Sequence, residues 1–386
     1  MRSDRVALSL VAPALAVALA LAVSTLVLIV SGNSPEEVFG LLGEQLTRVG
    51  ELTKTVNRAG PYYISAVAVA VGFKMNLFNI GVEGQYRLAG VVAAGAGVAL
   101  PLPGPLRLLG VIALAVGVGA GWAGIAGALR AYRGVSEVIS TIMLNAIAFG
   151  LTPFLLTRYF QEEAASGTID FATRTAALPG GGRLPSLDAL VPGGLPSGVH
   201  LNAFVILAGL VGVGYWVLVW RSRFGFDLRA SGANPHAART SGVDAKRMTV
   251  FAMLISGGVA GLVGLSSIIG AAPYRYTDES FLAGLGFTGI AIALLGRNNP
   301  VGIAFGALLW AFMDIARTPM SRADLPREIT TIMQGITVLS VVVAYQVVSR
   351  IARRRDAAAI ARQVDDDPEG GTSEPSGGAA RVGSPA

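Results

Sequence analysis

The sequence predicts an all-α polytopic membrane protein of about ten transmembrane helices, some short or broken, with both termini cytoplasmic. Three observations carry that reading. The 386 residues are 53% hydrophobic and only 14% charged, against about 25% charged in a soluble domain. Long apolar runs recur from Val6 to Val348. Basic residues gather in alternate connections between those runs, as they do on the cytoplasmic side of membrane proteins.

The expected spans are Val6–Val30, Pro61–Phe73, Gly84–Leu100, Leu106–Leu129, Val135–Leu156, Leu201–Trp220, Met248–Ile269, Phe281–Leu295, Val301–Ala316 and Ile329–Val348. Val6–Val30 follows a basic start at Arg2 and Arg5. It is longer than the ~7–15 apolar residues of a signal peptide, and no small-x-small site closes it, so it reads as a first transmembrane helix. Four basic clusters fall on one side if there are ten spans: Arg2 and Arg5; Arg130 and Arg133; Arg221, Arg223, Arg229, Arg239, Lys246 and Arg247; and Arg350, Arg353, Arg354 and Arg355. That side is taken as cytoplasmic, although Arg317, Arg322 and Arg327 fall in an outer loop. The membrane domain then occupies residues 1–350. It includes a Gly/Pro-rich external loop over 158–200 and a cytoplasmic loop over 221–247, and a disordered cytoplasmic tail follows over 351–386.

Pro61–Phe73, Phe281–Leu295 and Val301–Ala316 fall short of the ~20 residues that a helix needs to cross. They read either as ordinary short helices or as the broken helices that flank a transport pathway. Glycines crowd several spans: Gly117, Gly121 and Gly124; Gly257, Gly261 and Gly264; Gly302 and Gly306. Small residues at this spacing let helix backbones approach closely, so the spans are expected to form a packed bundle.

Enzyme chemistry has little to stand on. No G-x-x-x-x-G-K-[ST] or HExxH occurs, cysteine is absent, and the histidines are His200 and His236. The chain is therefore not expected to hydrolyse ATP, to bind a cofactor directly or to hold a metal. Its +6 charge is read as loop asymmetry, with no nucleic-acid partner.

Two polar segments stand out. Residues 78–85 read FNIGVEGQ at membrane depth. Irregular backbone survives there only where protein or a water-filled path surrounds it, and an intramembrane Glu83 flanked by Asn79 and Gln85 is a functional-site hypothesis. Residues 221–247 read RSRFGFDLRASGANPHAARTSGVDAKR. Asn234-Pro235 is a helix-start signal, so His236–Thr240 is expected to form a short helix that Gly242 ends. Such a segment is either a solvated basic loop or a rigid handle for another protein.

The pattern Arg229, Ala230, Gly232, Asn234, Pro235, Ala237, Ala238 and Gly242 resembles the cytoplasmic coupling loop of ATP-binding-cassette (ABC) permeases that import branched-chain amino acids, simple sugars and nucleosides. Residues 78–85, the run SEVISTIMLN over 136–145 and the run GFTGIAIALLG over 286–296 are similar to signatures of the nucleoside-type, basic membrane protein-linked branch. The resemblance covers roughly Val6 to Arg350. It implies a permease subunit in a bacterial cytoplasmic membrane, paired with a second homologous permease. An ATPase subunit with two nucleotide-binding domains would use ATP and magnesium, and an extracytoplasmic binding lipoprotein would deliver a small polar substrate. The Arg229–Gly242 loop would seat in the ATPase.

Asn79, Glu83, Gln85, Asn145, Phe287 and Gln334 are the candidates for the translocation pathway. Asn79 and Gln85 offer donor and acceptor to a ribose hydroxyl or base edge, while Glu83 reads as a contact, as a cap on a half-helix beginning near Gly84, or as a group that holds Asn79 and Gln85 in place. Glu137 is expected to cap its helix or pair with Arg133, and Asp314 to pair with Arg317. Phe287 reads as a stacking platform or a core residue, and Gln334 as bundle glue or a contact. Few buried cations are on offer, which favours a neutral substrate. A nucleoside is the first reading, a simple sugar or branched-chain amino acid the second, and an ion-coupled secondary carrier the reading from another class.

Overall fold

The structure is a computed structural model that describes residues 2–162, 173–277, 281, 283–326 and 328–366. Among these the chain is almost wholly helical: α1 (Arg2–Val30), α2 (Pro35–Thr47), α3 (Val49–Phe73), α4 (Val82–Ala99), α5 (Gly104–Arg133), α6 (Glu137–Leu155), α7 (Phe204–Trp216), α8 (Arg223–Ala233), α9 (Pro235–Thr240), α10 (Ala245–Gly261), α11 (Leu285–Leu295), α12 (Pro300–Ile315), α13 (Arg317–Arg322) and α14 (Glu328–Asp366). Helices α6 and α7 end in π-helical turns, Leu156–Phe160 and Val217–Arg221.

Each expected span coincides with a helix. Among the described residues, six helical stretches are both long and apolar enough to cross a membrane: Gly104–Arg133, Glu137–Phe160, Phe204–Arg221, Ala245–Ser267, Pro300–Arg322 and Glu328–Ile351. The chain is thus a multi-pass membrane protein. Two of the three short spans are longer than expected. Helix α3 starts at Val49 and carries Pro61 inside it, which is tolerated because neighbouring helices and local adjustments satisfy the freed backbone group. Helix α12, at the expected span Val301–Ala316, leads at Ala316 into α13. Only α11 stays short, at 11 residues. Helix α14 runs on to Asp366, into the segment expected to be disordered, because its Ala- and Arg-rich continuation favours helix. Residues 367–386 lie outside the described residues.

The chain divides into two compact units, the larger being Thr25–Val338 and the smaller the chain ends through Ser24 and from Leu339. At the centre of the larger unit α3 is buried almost all round from Ala59 to Gly72, as a core helix is. It packs against α7, α10, α11 and α12, while α4 packs against α5, α6 and α10. The most extensive seam joins α5 to α10. Of the glycines singled out in α5, Gly117 and Gly121 face open space and Gly124 meets only a Leu254 side chain. The close approach is made by Gly119, where a Cβ would strike the backbone of Gly257 and Gly261, and by Gly261, where one would strike Ala115 O.

The 158–200 loop is packed where it is described. Leu178 N donates to Tyr274 O and Leu184 N to Ile269 O, both at 2.7 Å, and Leu178 is buried. The loop closes on His200 Nδ1, 2.7 Å from Asp188 Oδ2, with Leu201 N donating to Asp188 Oδ1 at 2.7 Å.

Candidate functional site

The FNIGVEGQ segment is a joint between α3 and α4. Asn76 turns the chain in a left-handed conformation (φ +54°), and Leu77 N donates back to Gly72 O at 3.0 Å. Asn79 and Gln85 then clasp each other. Asn79 Nδ2 donates to Gln85 Oε1 at 2.9 Å, and Gln85 Nε2 donates to Asn79 Oδ1 at 2.8 Å. Asn79 Nδ2 also donates to Ser256 Oγ at 2.8 Å, whose hydroxyl donates to Ala68 O at 2.6 Å. From α6, Asn145 Oδ1 accepts Gly84 N and its Nδ2 donates to Ile80 O, both at 2.9 Å. Four helices are thereby tied at one point, with every amide atom of Asn79, Gln85 and Asn145 engaged and all three residues buried. A satisfied buried polar network of this kind fixes a unique arrangement.

Glu83 continues the network. Helix α4 begins at Val82, two residues ahead of the expected Gly84, and Glu83 caps a different helix. Its Oε1 accepts Gly284 N and its Oε2 accepts Gly286 N, both at 3.0 Å, at the N-terminus of α11. The first N–H groups of a helix lack partners within it, and a carboxylate there is favoured by the helix dipole. Tyr86 Oη donates to Glu83 Oε1 at 2.7 Å, and Arg87 Nε stands 3.3 Å from the same oxygen. A second tie to α11 comes from Ser65 Oγ, which donates to Leu285 O at 2.7 Å. The short helix is thus clamped from α3 and α4, leaving Phe287 60% exposed on its outer face. Phe287 is therefore not a core residue. Its neighbours toward the bundle, Gly286 and Gly289, fill that side.

Three other candidates lie apart from the joint or at its edge. Gln334 is buried in α14 and its Nε2 donates to Trp310 O at 3.3 Å, so its amide links α14 to α12. Glu137 pairs with Arg130 at 3.3 Å rather than with the expected Arg133. Gly134, in a left-handed conformation, breaks the helix between 133 and 137, so the i,i+4 geometry the expectation needed does not exist. Asp314 does pair with Arg317, at 3.2 Å. Its other oxygen accepts Arg58 Nε at 2.6 Å and Tyr62 Oη at 3.1 Å. Arg58, Tyr62, Arg87 and Ser256 were missed by sequence reasoning. Arg58, Tyr62 and Ser256 gain their roles from partners distant in the chain, and their sequence signal is polarity within an apolar run, whereas Arg87 stands at the i, i+4 spacing from Glu83 that could have pointed to it.

The 221–247 loop folds as two helices. Sequence reading anticipated α9 but not α8. Ser222 caps α8 by accepting Gly225 N at 2.9 Å. Asn234 ends α8 and caps α9, its Oδ1 accepting His236 N at 3.0 Å and Ala237 N at 3.1 Å. Gly242 ends the turn at φ +84°, which a residue with a Cβ adopts only under strain. Asp244 then caps α10 by accepting Lys246 N and Arg247 N. Pro235, His236, Ala237 and Arg239 are exposed, whereas Ala238 is only 3% exposed and holds α9 down. Arg229 and Ala230 are half-buried on α8. Gly232 presses its backbone against Lys74 O, and Asn76 Nδ2 donates to Gly232 O at 2.7 Å. The basic loop and the polar joint are therefore in direct contact.

Residues 52–342 match the family described as branched-chain amino acid transport system / permease component. The chain belongs to that family. It is 34% identical over 345 residues to the guanosine ABC transporter permease protein NupP of Bacillus subtilis (strain 168), an alignment covering 88% of this chain and 94% of the relative. It is 33% identical to the glucose ABC transporter permease protein TsgB13 of Haloferax volcanii, covering 85% of each chain. A third relative is the nucleoside ABC transporter permease protein NupB of Lactococcus lactis subsp. cremoris (strain MG1363), 29% identical over 86% of this chain and 90% of that one.

Proposed function

We propose that this chain is a permease subunit of an ABC importer and forms half of a translocation pathway for nucleosides. The observation that carries this reading is the 34% identity to the guanosine permease along almost the whole of both chains, which a nucleoside permease from a second organism joins. The glucose permease at 33% supports the alternative, a simple-sugar permease of the same architecture.

In this reading the chain crosses a bacterial cytoplasmic membrane ten times with both termini inside. It pairs with a second, homologous permease, and a binding lipoprotein delivers substrate from outside. ATP and magnesium are used by a partner ATPase with two nucleotide-binding domains, seated on the exposed face of α9. Closure of that partner stabilises one of two arrangements of the permease pair. The coupling group is Arg229, Ala230, Gly232, Asn234, Pro235, Ala237, Ala238 and Gly242, with Ala237 on the contact face and Ala238 beneath it.

The pathway candidates divide by their geometry. Asn79, Glu83, Gln85 and Asn145 spend their polar atoms on neighbouring side chains and on backbone, which supports a role in positioning α4 and α11. Gln334 ties α14 to α12. Phe287 is exposed on the clamped helix, where an aromatic face suits stacking on a flat base. An isotope-uptake panel of nucleosides, sugars and amino acids, run with the reconstituted complex, tests the substrate. Nucleosides should enter and compete with one another, and entry of glucose without nucleoside competition would establish the alternative.

A further inference from the structure

A groove of about 530 Å3 runs along the outside of the bundle between α7 and α12. Gly209, Val213 and Trp216 form one wall at helical spacing, and Val301, Phe305 and Leu308 form the other. Its floor is Tyr63 of α3, which reaches it because Gly212 has no side chain: a Cβ there would collide with the Tyr63 hydroxyl. The groove is open because Gly209 leaves it open. A Cβ on Gly209 would meet nothing within 4 Å. At the end marked by Trp216, the guanidinium of Arg221 lies 4.9 Å from the centre of the Trp216 ring. Arg221 is exposed and makes no ion pair among the described residues.

We infer that this groove is a binding site for a single anionic phospholipid, with one acyl chain along α7 and α12 and the phosphate on Arg221. The walls are apolar and face the hydrocarbon of the membrane. A Trp and an Arg together are the side chains that sit at headgroup level. An unpaired guanidinium fixed at the mouth of an apolar slot complements a molecule that is anionic at one end and hydrocarbon at the other. Guanidinium also pairs phosphate oxygens in a bidentate manner. In the orientation proposed above, this end of α7 faces the cytoplasmic leaflet, where anionic lipids add roughly 1 kcal/mol of attraction per basic side chain. The site does not depend on which substrate the protein carries.

Lipid retained by the full-length chain in nanodiscs of mixed phosphatidylglycerol and phosphatidylcholine, counted by native mass spectrometry, tests the inference. The wild type should hold one phosphatidylglycerol through washing. Arg221→Gln should lower its preference over phosphatidylcholine by about fivefold. Gly209→Leu starts from a Cβ that meets nothing within 4 Å and projects into the slot, so it should remove the bound lipid while leaving the melting temperature unchanged. Retention of phosphatidylglycerol by both variants overturns the site, as does equal retention of the two lipids by the wild type. The sequence has no cysteine, so Val213→Cys can be read cleanly in the assembled complex. A disulfide from this position to a cysteine in the partner permease would assign the groove to that subunit and likewise overturn the proposal.

Discussion

At the scale of single residues, Glu83 is the side chain on which the arrangement turns. It is 3% exposed and holds two backbone N–H groups of α11, the Tyr86 hydroxyl and the Arg87 guanidinium. Removing one partner from a buried charged cluster is costly, because the remaining groups are left unpaired. Glu83→Ala should therefore destabilise the protein by about 3 kcal/mol, read as a fall in thermal midpoint. Glu83→Gln keeps one acceptor and the shape, so it should lose less and should retain ATP-driven uptake. An ion-coupled carrier that used this carboxylate directly would lose uptake in the same variant. A second residue-scale effect concerns pH. Asp188, outside the membrane spans, is held below the usual carboxylate range by its hydrogen bond with His200, and then by the Leu201 N–H. A depressed carboxylate contributes stability above its unfolded value of about 3.9, and that contribution is lost as pH falls through the lower folded value. Amide protection at Leu201 should therefore drop below about pH 4 in the wild type and show no such step in Asp188→Asn.

At the scale of elements, helix contacts set the result of substitution. Gly119 faces the α10 backbone and Gly117 faces open space on the same helix. Gly119→Leu should prevent correct packing of α5 on α10, since overpacking a close seam costs about 1–3 kcal/mol or more. Gly117→Leu should leave the yield of folded protein unchanged in gel filtration. The glycine pattern announced close packing, and Gly124 does meet Leu254 of α10, but Gly117 and Gly121 face open space and the backbone contact falls on Gly119 instead. Spacing alone does not say how a helix is rotated about its axis. The α9 cap was legible, because Asn234, Pro235 and Gly242 each act within a few residues. The same locality explains why α2 could have been found from Ser34-Pro35-Glu36-Glu37, where Ser34 caps the helix. Helix α8 was not legible, since Gly225, Ser231 and Gly232 weaken its helical propensity and contact with Lys74 and Asn76 holds it. Asn234→Ala should lower α9 stability by about 1 kcal/mol and weaken ATPase association in a pull-down titration, without changing the fold of the membrane part.

At the scale of the whole molecule, the proposed importer would receive its energy through one surface helix, and its pathway would be shaped by one buried joint. Both segments stand out in the sequence as polar interruptions, and the multi-pass helical architecture was legible there too. The sequence did not indicate that they touch, through Asn76 and Gly232, nor that Glu83 reaches 201 positions along the chain to Gly284. Long-range pairings of this kind leave no local pattern. The contact also limits how α9 can be probed. Ala238 is buried, so enlarging it perturbs packing, whereas Ala237 is exposed and a bulky residue there leaves the packing of the chain intact. Ala237→Trp should keep the melting temperature and lose ATP-driven transport.

The most direct test of the central claim is uptake of radiolabelled guanosine into proteoliposomes that contain the assembled complex and its binding protein. Uptake should require ATP on the side of α9, persist when ion gradients are collapsed, and be competed by other nucleosides but not by glucose. Uptake that runs without ATP on an imposed proton or sodium gradient, or ATP-driven entry of sugars with no entry of nucleosides, would contradict it.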